Sequence, residues 1–314
     1  MRRIALAAAS VLALSATLVA RAPAMDLGQL PADTQWFVHV DGTTAFAGEF
    51  GRLVRDVLAS PDVSAKMAAL TAITGFDPLK DLVSAAVAGS GPGEQQAVLF
   101  LQGRFDQNRL VTLVRAVDGY ALSDHGGVGV HRWRDQDKPG KPFVFAAFLG
   151  SDLLAFTSGE PALKQAIDAI GNRAPRFSPP TIAGPGVIAW AQAEDLAALT
   201  AGKNDAAAFK NVQAGWATLA EKDGALVAEV ALTATDAASA EQLTKLANGL
   251  LALAQLSSDP KADPVGAALV ASLRVAAADR TVRLSASCPV GTLRQHPDLQ
   301  GKVTPTAPAA VPER

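Results

Sequence analysis

Short runs of alternating apolar residues, separated by turn residues and by helices that begin on an aspartate, constrain the fold of this chain most. Trp36-Phe37-Val38-His39-Val40-Asp41 alternates with the period of two that a half-buried strand requires, and Gly42 breaks it. Phe50, Leu53, Val54, Val57 and Leu58 then recur at helical spacing, ended by Ser60-Pro61, and Val63, Met67 and Leu70 suggest a second helical piece. Residues 83–89 and 97–105 read as a hairpin across Gly89-Ser90-Gly91-Pro92-Gly93. Asp106 next offers its carboxylate to the free N–H groups of a helix carrying Leu110, Leu113, Val114 and Val117 on one face. Strands are expected over 127–133, 143–149 and 153–157, and a helix bearing Leu163, Ala166, Ile167 and Ile170 stops at Gly171.

The series then restarts. Residues 172–186 hold four prolines and two glycines and read as a linker. Beyond it come a strand over 187–193, helical pieces over 195–201 and 206–212, and a hairpin of 216–220 with 226–234 across Lys222-Asp223-Gly224. Asp236 caps a long helix with Leu243, Leu246, Ala247, Leu250, Leu253 and Ala254 inward. A last hairpin is expected from 268–275 and 281–288, with Leu269, Ala271, Leu273 and Val275 on one face. The order predicts an α+β fold of antiparallel sheets with helices packed on one face, built from two similar halves as a duplicated unit. The expected divisions are a signal peptide (1–24), a first half (25–172), a linker (173–186), a second half (187–294) and a disordered tail (295–314) rich in Pro and Ala.

Residues 1–24 carry the one strong statement about location. Met1-Arg2-Arg3 is a short basic start, 4–20 is an unbroken run of small and apolar residues, and Ala22-Pro23-Ala24 is a small-x-small cleavage site. The mature chain is then expected to begin at Met25, to lie in the periplasm or outside the cell, and to keep no membrane anchor. The twin-arginine reading of Arg2-Arg3 is weakly supported by its flanks, and no Cys near the cut offers a lipid site. Of the 28 basic residues, Arg2, Arg3 and Arg21 leave with the leader, so 25 face 30 acidic ones. That balance, with no basic cluster, argues against nucleic acid or an anionic membrane surface as partner. Cys288 is the single cysteine and ends an alternating run, which makes it a buried structural thiol and leaves the fold without an internal disulfide.

Catalytic and metal-binding patterns are thin. His125-Gly126-Gly127 is similar to an esterase oxyanion loop, but no Gly-x-Ser-x-Gly elbow accompanies it. His125 and His131 lie six apart, so an extended strand would aim both at one face beside Asp124 as a partial metal site or a divergent hydrolase centre. The run from Asp135 to Gly140 has calcium-loop carboxylates but Ala146 at the twelfth place, and reads better as a polar turn. Ser64 and Lys66, two apart on a helix, do not face each other. No catalytic, cofactor-binding or metal residue is therefore assigned and no cofactor is expected. The leading reading is a non-catalytic envelope protein that binds a protein partner or an apolar small ligand. The alternative is a divergent hydrolase near Asp124, His125 and His131.

Leu30-Pro31-Ala32-Asp33-Thr34 leading into Val38-His39-Val40-Asp41 resembles a group of exported bacterial proteins of unknown function. Residues 75–82 (Gly-Phe-Asp-Pro-Leu-Lys-Asp-Leu) and Gly103-Arg104-Phe105-Asp106 look like further marks of that group. The resemblance spans most of 30–255 and implies an extracytoplasmic protein, but transfers no catalytic residues. Asp33 and Asp41 suit turn and cap roles, and Phe76-Asp77-Pro78 suits a helix-to-strand turn.

Overall fold

The computed structural model describes residues 24–140, 142–179, 186–200, 209–296 and 299. Strand β1 is Trp36–Asp41, followed by helices α1 (Gly42–Ala45), α2 (Glu49–Leu58), α3 (Pro61–Thr74) and α4 (Pro78–Asp81). Strands β2 (Leu82–Gly89) and β3 (Ala97–Gly103) lead to α5 (Gln107–Arg115). Four strands follow: β4 (Ala121–His125), β5 (Val128–Arg134), β6 (Phe143–Phe148) and β7 (Leu153–Thr157). Helix α6 (Glu160–Ile170) closes the first half. The second half runs β8 (Val187–Glu194), α7 (Leu196–Thr200), β9 (Val212–Lys222), β10 (Ala225–Ala234) and α8 (Ala237–Ser257). It ends with α9 (Pro264–Ser272), β11 (Arg274–Ala278), β12 (Thr281–Pro289) and α10 (Val290–Leu293). The expected leader and tail, apart from Ala24, 295, 296 and 299, and residues 206–208 of the helical piece placed over 206–212 lie outside the described residues.

All twelve strands form one antiparallel sheet in the order β11-β12-β10-β9-β8-β1-β2-β3-β7-β6-β5-β4. The fold is thus α+β, and the halves share a sheet through the pairing of β1 with β8, where Trp36 faces Ala193, Val38 faces Ala191 and Val40 faces Ala189. Outward from that seam both halves read first strand, second strand, third strand, then the last strand of the half. Local signals set much of this. Asp106 and Asp236 accept the N–H groups of Arg109 and Ser239, so each strand-to-helix step is capped as its sequence dictates. Asp223 and Gly224 both take positive φ, which a two-residue turn between β9 and β10 requires.

Residues directly opposite in a ladder share a face, so the registers sort the sheet. The front face carries Phe37, Ala88 and Val98 in one row and Ala86, Phe100, Ala155 and Ala147 in the next. Leu163, Ala166 and Ile167 of α6 and Leu27 and Leu30 of the N-terminal segment cover them as the main core. Phe37 meets Trp190 and Phe177 edge-on at 4.8 and 5.8 Å. Met25 is buried too, its N–H donating to Ser84 Oγ at 3.1 Å, and Ser84 donates on to Gln102 Oε1. Part of the linker-like stretch also joins this layer: Phe177 donates to the Leu30 carbonyl and Ala32 to that of Pro175.

The back face carries Val38, Ala191, Ala217 and Val230 across the seam and Val282 and Leu284 near one edge, where Leu243 of α8 packs. Helices α5, α7 and α8 lie on this back face. Helix α6 departs from the expected single-face arrangement: its apolar stripe buries against the front. Three local expectations also change. Residues 264–272 are helix, because Asp263 caps Gly266 and Pro264 sits in the first turn, a start signal that outweighs the alternation of Leu269, Ala271 and Leu273. Residues 121–125 form a strand that the polar sequence Ala-Leu-Ser-Asp-His concealed. Leu246, Leu250 and Leu253 are 54, 58 and 63% exposed, because only the first turns of α8 reach the sheet.

Candidate functional site

The seam creates an open apolar cleft on the back face. Strand β8 presents only Ala189, Ala191 and Ala193 there, and β9 presents Gly215 and Ala217, so the sheet floor is low. Leu196 and Leu199 of α7 form one wall, Val230 and Leu232 of β10 the far side, and Trp36 and Val38 the near side. Val38 remains 44% exposed in the middle of a strand. The volume of the cleft is about 440 Å³. Trp36 is held in place by its indole N–H, which donates to the Gly91 carbonyl at 2.8 Å. Gly215 lets two leucines pack over β9: a Cβ there would lie 2.9 Å from a Leu232 methyl and 3.1 Å from a Leu196 methyl. A cleft of this size and lining favours hydrocarbon or aromatic surface, since burying either side removes apolar area from water. The sequence did not announce it, because Val38, Ala191, Ala217 and Leu232 come from strands far apart in the chain. The nearest signal was the run of alternating alanines in β8.

The residues weighed as a divergent centre are not brought together as expected. The turn Gly126-Gly127 falls between His125 on β4 and His131 on β5, so the two histidines do not share a strand. The register places His125 opposite Val128 on the front face and His131 opposite Leu122 on the back. His125 Nε2 lies 3.0 Å from Asp168 Oδ2 of α6, and Arg173 Nε donates to the other oxygen at 3.0 Å. The two partners, His125 first, hold the Asp168 carboxyl below the usual carboxylate range. Asp124 accepts the Gly127 N–H in the turn. This is a helix-to-sheet clamp and a turn, not a hydrolytic centre.

The other weighed motifs have local structural roles. Asp135 accepts the Asp137 N–H within a turn, Ser64 donates to the Pro61 carbonyl, and Cys288 is 2% exposed with its thiol pKa pushed up by burial. Among the described residues no group of three or more His, Cys, Asp and Glu side chains is arranged to hold a metal ion, and no helix is long and apolar enough to cross a membrane.

A second cleft, of about 430 Å³, lies between α5 and the β4–β5 hairpin and is polar. Asn108, Thr112 and Arg115 line its helix side, and His131, Gly129 and Phe148 its sheet side. His131 is 9% exposed and its Nδ1 lies 3.2 Å from the Tyr120 hydroxyl. Burial, and secondarily the Arg115 charge, lower its pKa, which favours the neutral ring.

No protein-family model matches the chain, and none of the curated proteins does. Among solved structures it is similar to TP0453 in crystal form III, at TM-score 0.50 and 9% identity over 87% of this chain and 98% of that one. Crystal form I of the same protein gives TM-score 0.47 and 8% identity over 90% and 99%. The chain shares its fold with TP0453 over nearly the whole of both.

Proposed function

We propose that this is an exported, non-catalytic binding protein whose apolar cleft at the β1–β8 seam takes a small apolar ligand. The cleft carries the reading: about 440 Å³ floored by alanines, walled by leucines and closed by Trp36. Export is supported by the basic start, apolar run and small-x-small site of residues 1–24. The core begins directly after that site, with Met25, Leu27 and Leu30 buried.

Trp36 lines the cleft and supplies a readout. A brominated dodecanoic acid is expected to quench tryptophan emission saturably in the mature chain. Ala191→Phe and Ala217→Phe, which raise the floor, should abolish quenching while leaving the circular dichroism intact. Equal quenching in the filled variants, or none in the wild type, removes the ligand reading. The export reading predicts a mature protein whose first residue is Met25 by intact mass; a periplasmic product retaining 1–24 would refute it.

A further inference from the structure

Helix α5 lies loosely on the sheet, its apolar side of Leu110, Val111 and Val114 only half-buried. Its exposed Asn108, Thr112 and Arg115 line, with Val111, the polar cleft over the β4–β5 hairpin. No residue of α5 is buried.

On the sheet side the same cleft is opened by glycine. A Cβ at Gly129 would sit 3.9 Å from His131 Nε2, and at Gly127 it would touch nothing, so neither position carries a side chain over the ring. With Nδ1 engaged by the Tyr120 hydroxyl, Nε2 is the ring atom that faces the gap. No residue lining the cleft is acidic, and Arg115 has no carboxylate partner among the described residues. The rest of the cleft is neutral: the amide of Asn108, the hydroxyl of Thr112, which donates to the Asn108 carbonyl, and the apolar Val111 and Phe148. Asp124 stands nearby on the same face, but its carboxylate is engaged by the Gly127 N–H.

We infer that the cleft between α5 and the β4–β5 hairpin binds a small organic oxyanion, a carboxylate or phosphate monoester. Arg115 forms the ion pair, His131 Nε2 donates a hydrogen bond, and Phe148 takes the apolar part. A guanidinium matches either oxyanion by two parallel hydrogen bonds. A neutral imidazole whose other nitrogen accepts from a tyrosine hydroxyl presents an N–H to the same group.

Titration of the mature chain with benzoate and with phenyl phosphate, followed by calorimetry and by amide chemical shifts, tests this. Saturable binding of at least one probe is expected below about 10 mM, with shifts centred on Asn108, Thr112 and Gly129. Arg115→Gln should weaken it by about tenfold or more, the loss expected for a charge-assisted hydrogen bond. Arg104→Gln, at an exposed arginine outside the cleft already paired with Asp81, should not. Tighter binding of phenyl phosphate identifies the phosphate class, and tighter binding of benzoate the carboxylate class. Absence of saturable binding of both probes by the folded wild type, or equal affinity in Arg115→Gln, overturns the proposal.

Discussion

His39 and His131 are two imidazoles whose pKa values are lowered by burial, against an opposing pull from Asp41 on His39 and a reinforcing one from Arg115 on His131. A base whose folded pKa lies below its unfolded value binds fewer protons when folded. Stability from such a group is complete above about pH 6.5 and is lost as pH falls through that value toward the folded pKa. Asp168 adds to this at lower pH, because its depressed carboxyl contributes above its unfolded pKa and stops contributing as acid titrates it. Urea unfolding at pH 7.5 and pH 5.0 should therefore show the wild type less stable in acid. His131→Phe should flatten part of that difference; an unchanged pH dependence in this variant would show that the imidazole titrates freely in the fold.

Two helices of similar apolar composition bury themselves to opposite extents, and that contrast belongs to the element. Leu163 of α6 is fully buried among Ala155, Ala147 and Phe100, whereas Leu253 of α8 is 63% exposed. Leu163→Ala should cost about 2–5 kcal/mol and Leu253→Ala less than about 0.5 kcal/mol by denaturant midpoint. Equal losses would mean that α8 is covered in solution. The sequence made elements legible wherever a local device set them: Asp106 and Asp236 as caps, Asp223-Gly224 as a turn, Gly171 at the end of α6. It misled where two periods fit the same residues. Leu269, Ala271 and Leu273 alternate like a strand, yet small residues also suit a helix, and the Asp263-Pro264 start decided it. Helix faces were legible only where the sheet was long enough to meet them. The stripe of Leu246, Leu250 and Leu253 is a true helical stripe that runs past its support. Neither cleft could be read from the chain, because each is made by side chains whose neighbours are fixed by strand order and not by spacing.

At the scale of the molecule, the seam makes one body of the two halves. The front core draws Trp190 from the second half against Phe37 of the first, and β1 has no other neighbour on that side than β8. Unfolding monitored separately by Trp emission and by far-UV circular dichroism should coincide in a single transition. Two resolved transitions would show that the halves melt independently. The matching strand order on either side of the seam fits a duplicated unit, and superposition of β1–β2–β3 on β8–β9–β10 is the direct comparison.

The antiparallel seam also has a consequence for two copies of the chain. The halves are joined in sequence only through the stretch around 172–186, and beside the β1–β8 ladder they are held by the Arg294–Asp56 pair and by Glu221, which accepts the Glu49 and Phe50 N–H groups. Two molecules that open there can each lend a second half to the other, and every strand pair is regained in the exchanged dimer. Refolding at high protein concentration should then give a long-lived dimer with the monomer's circular dichroism, which returns to monomer only after unfolding.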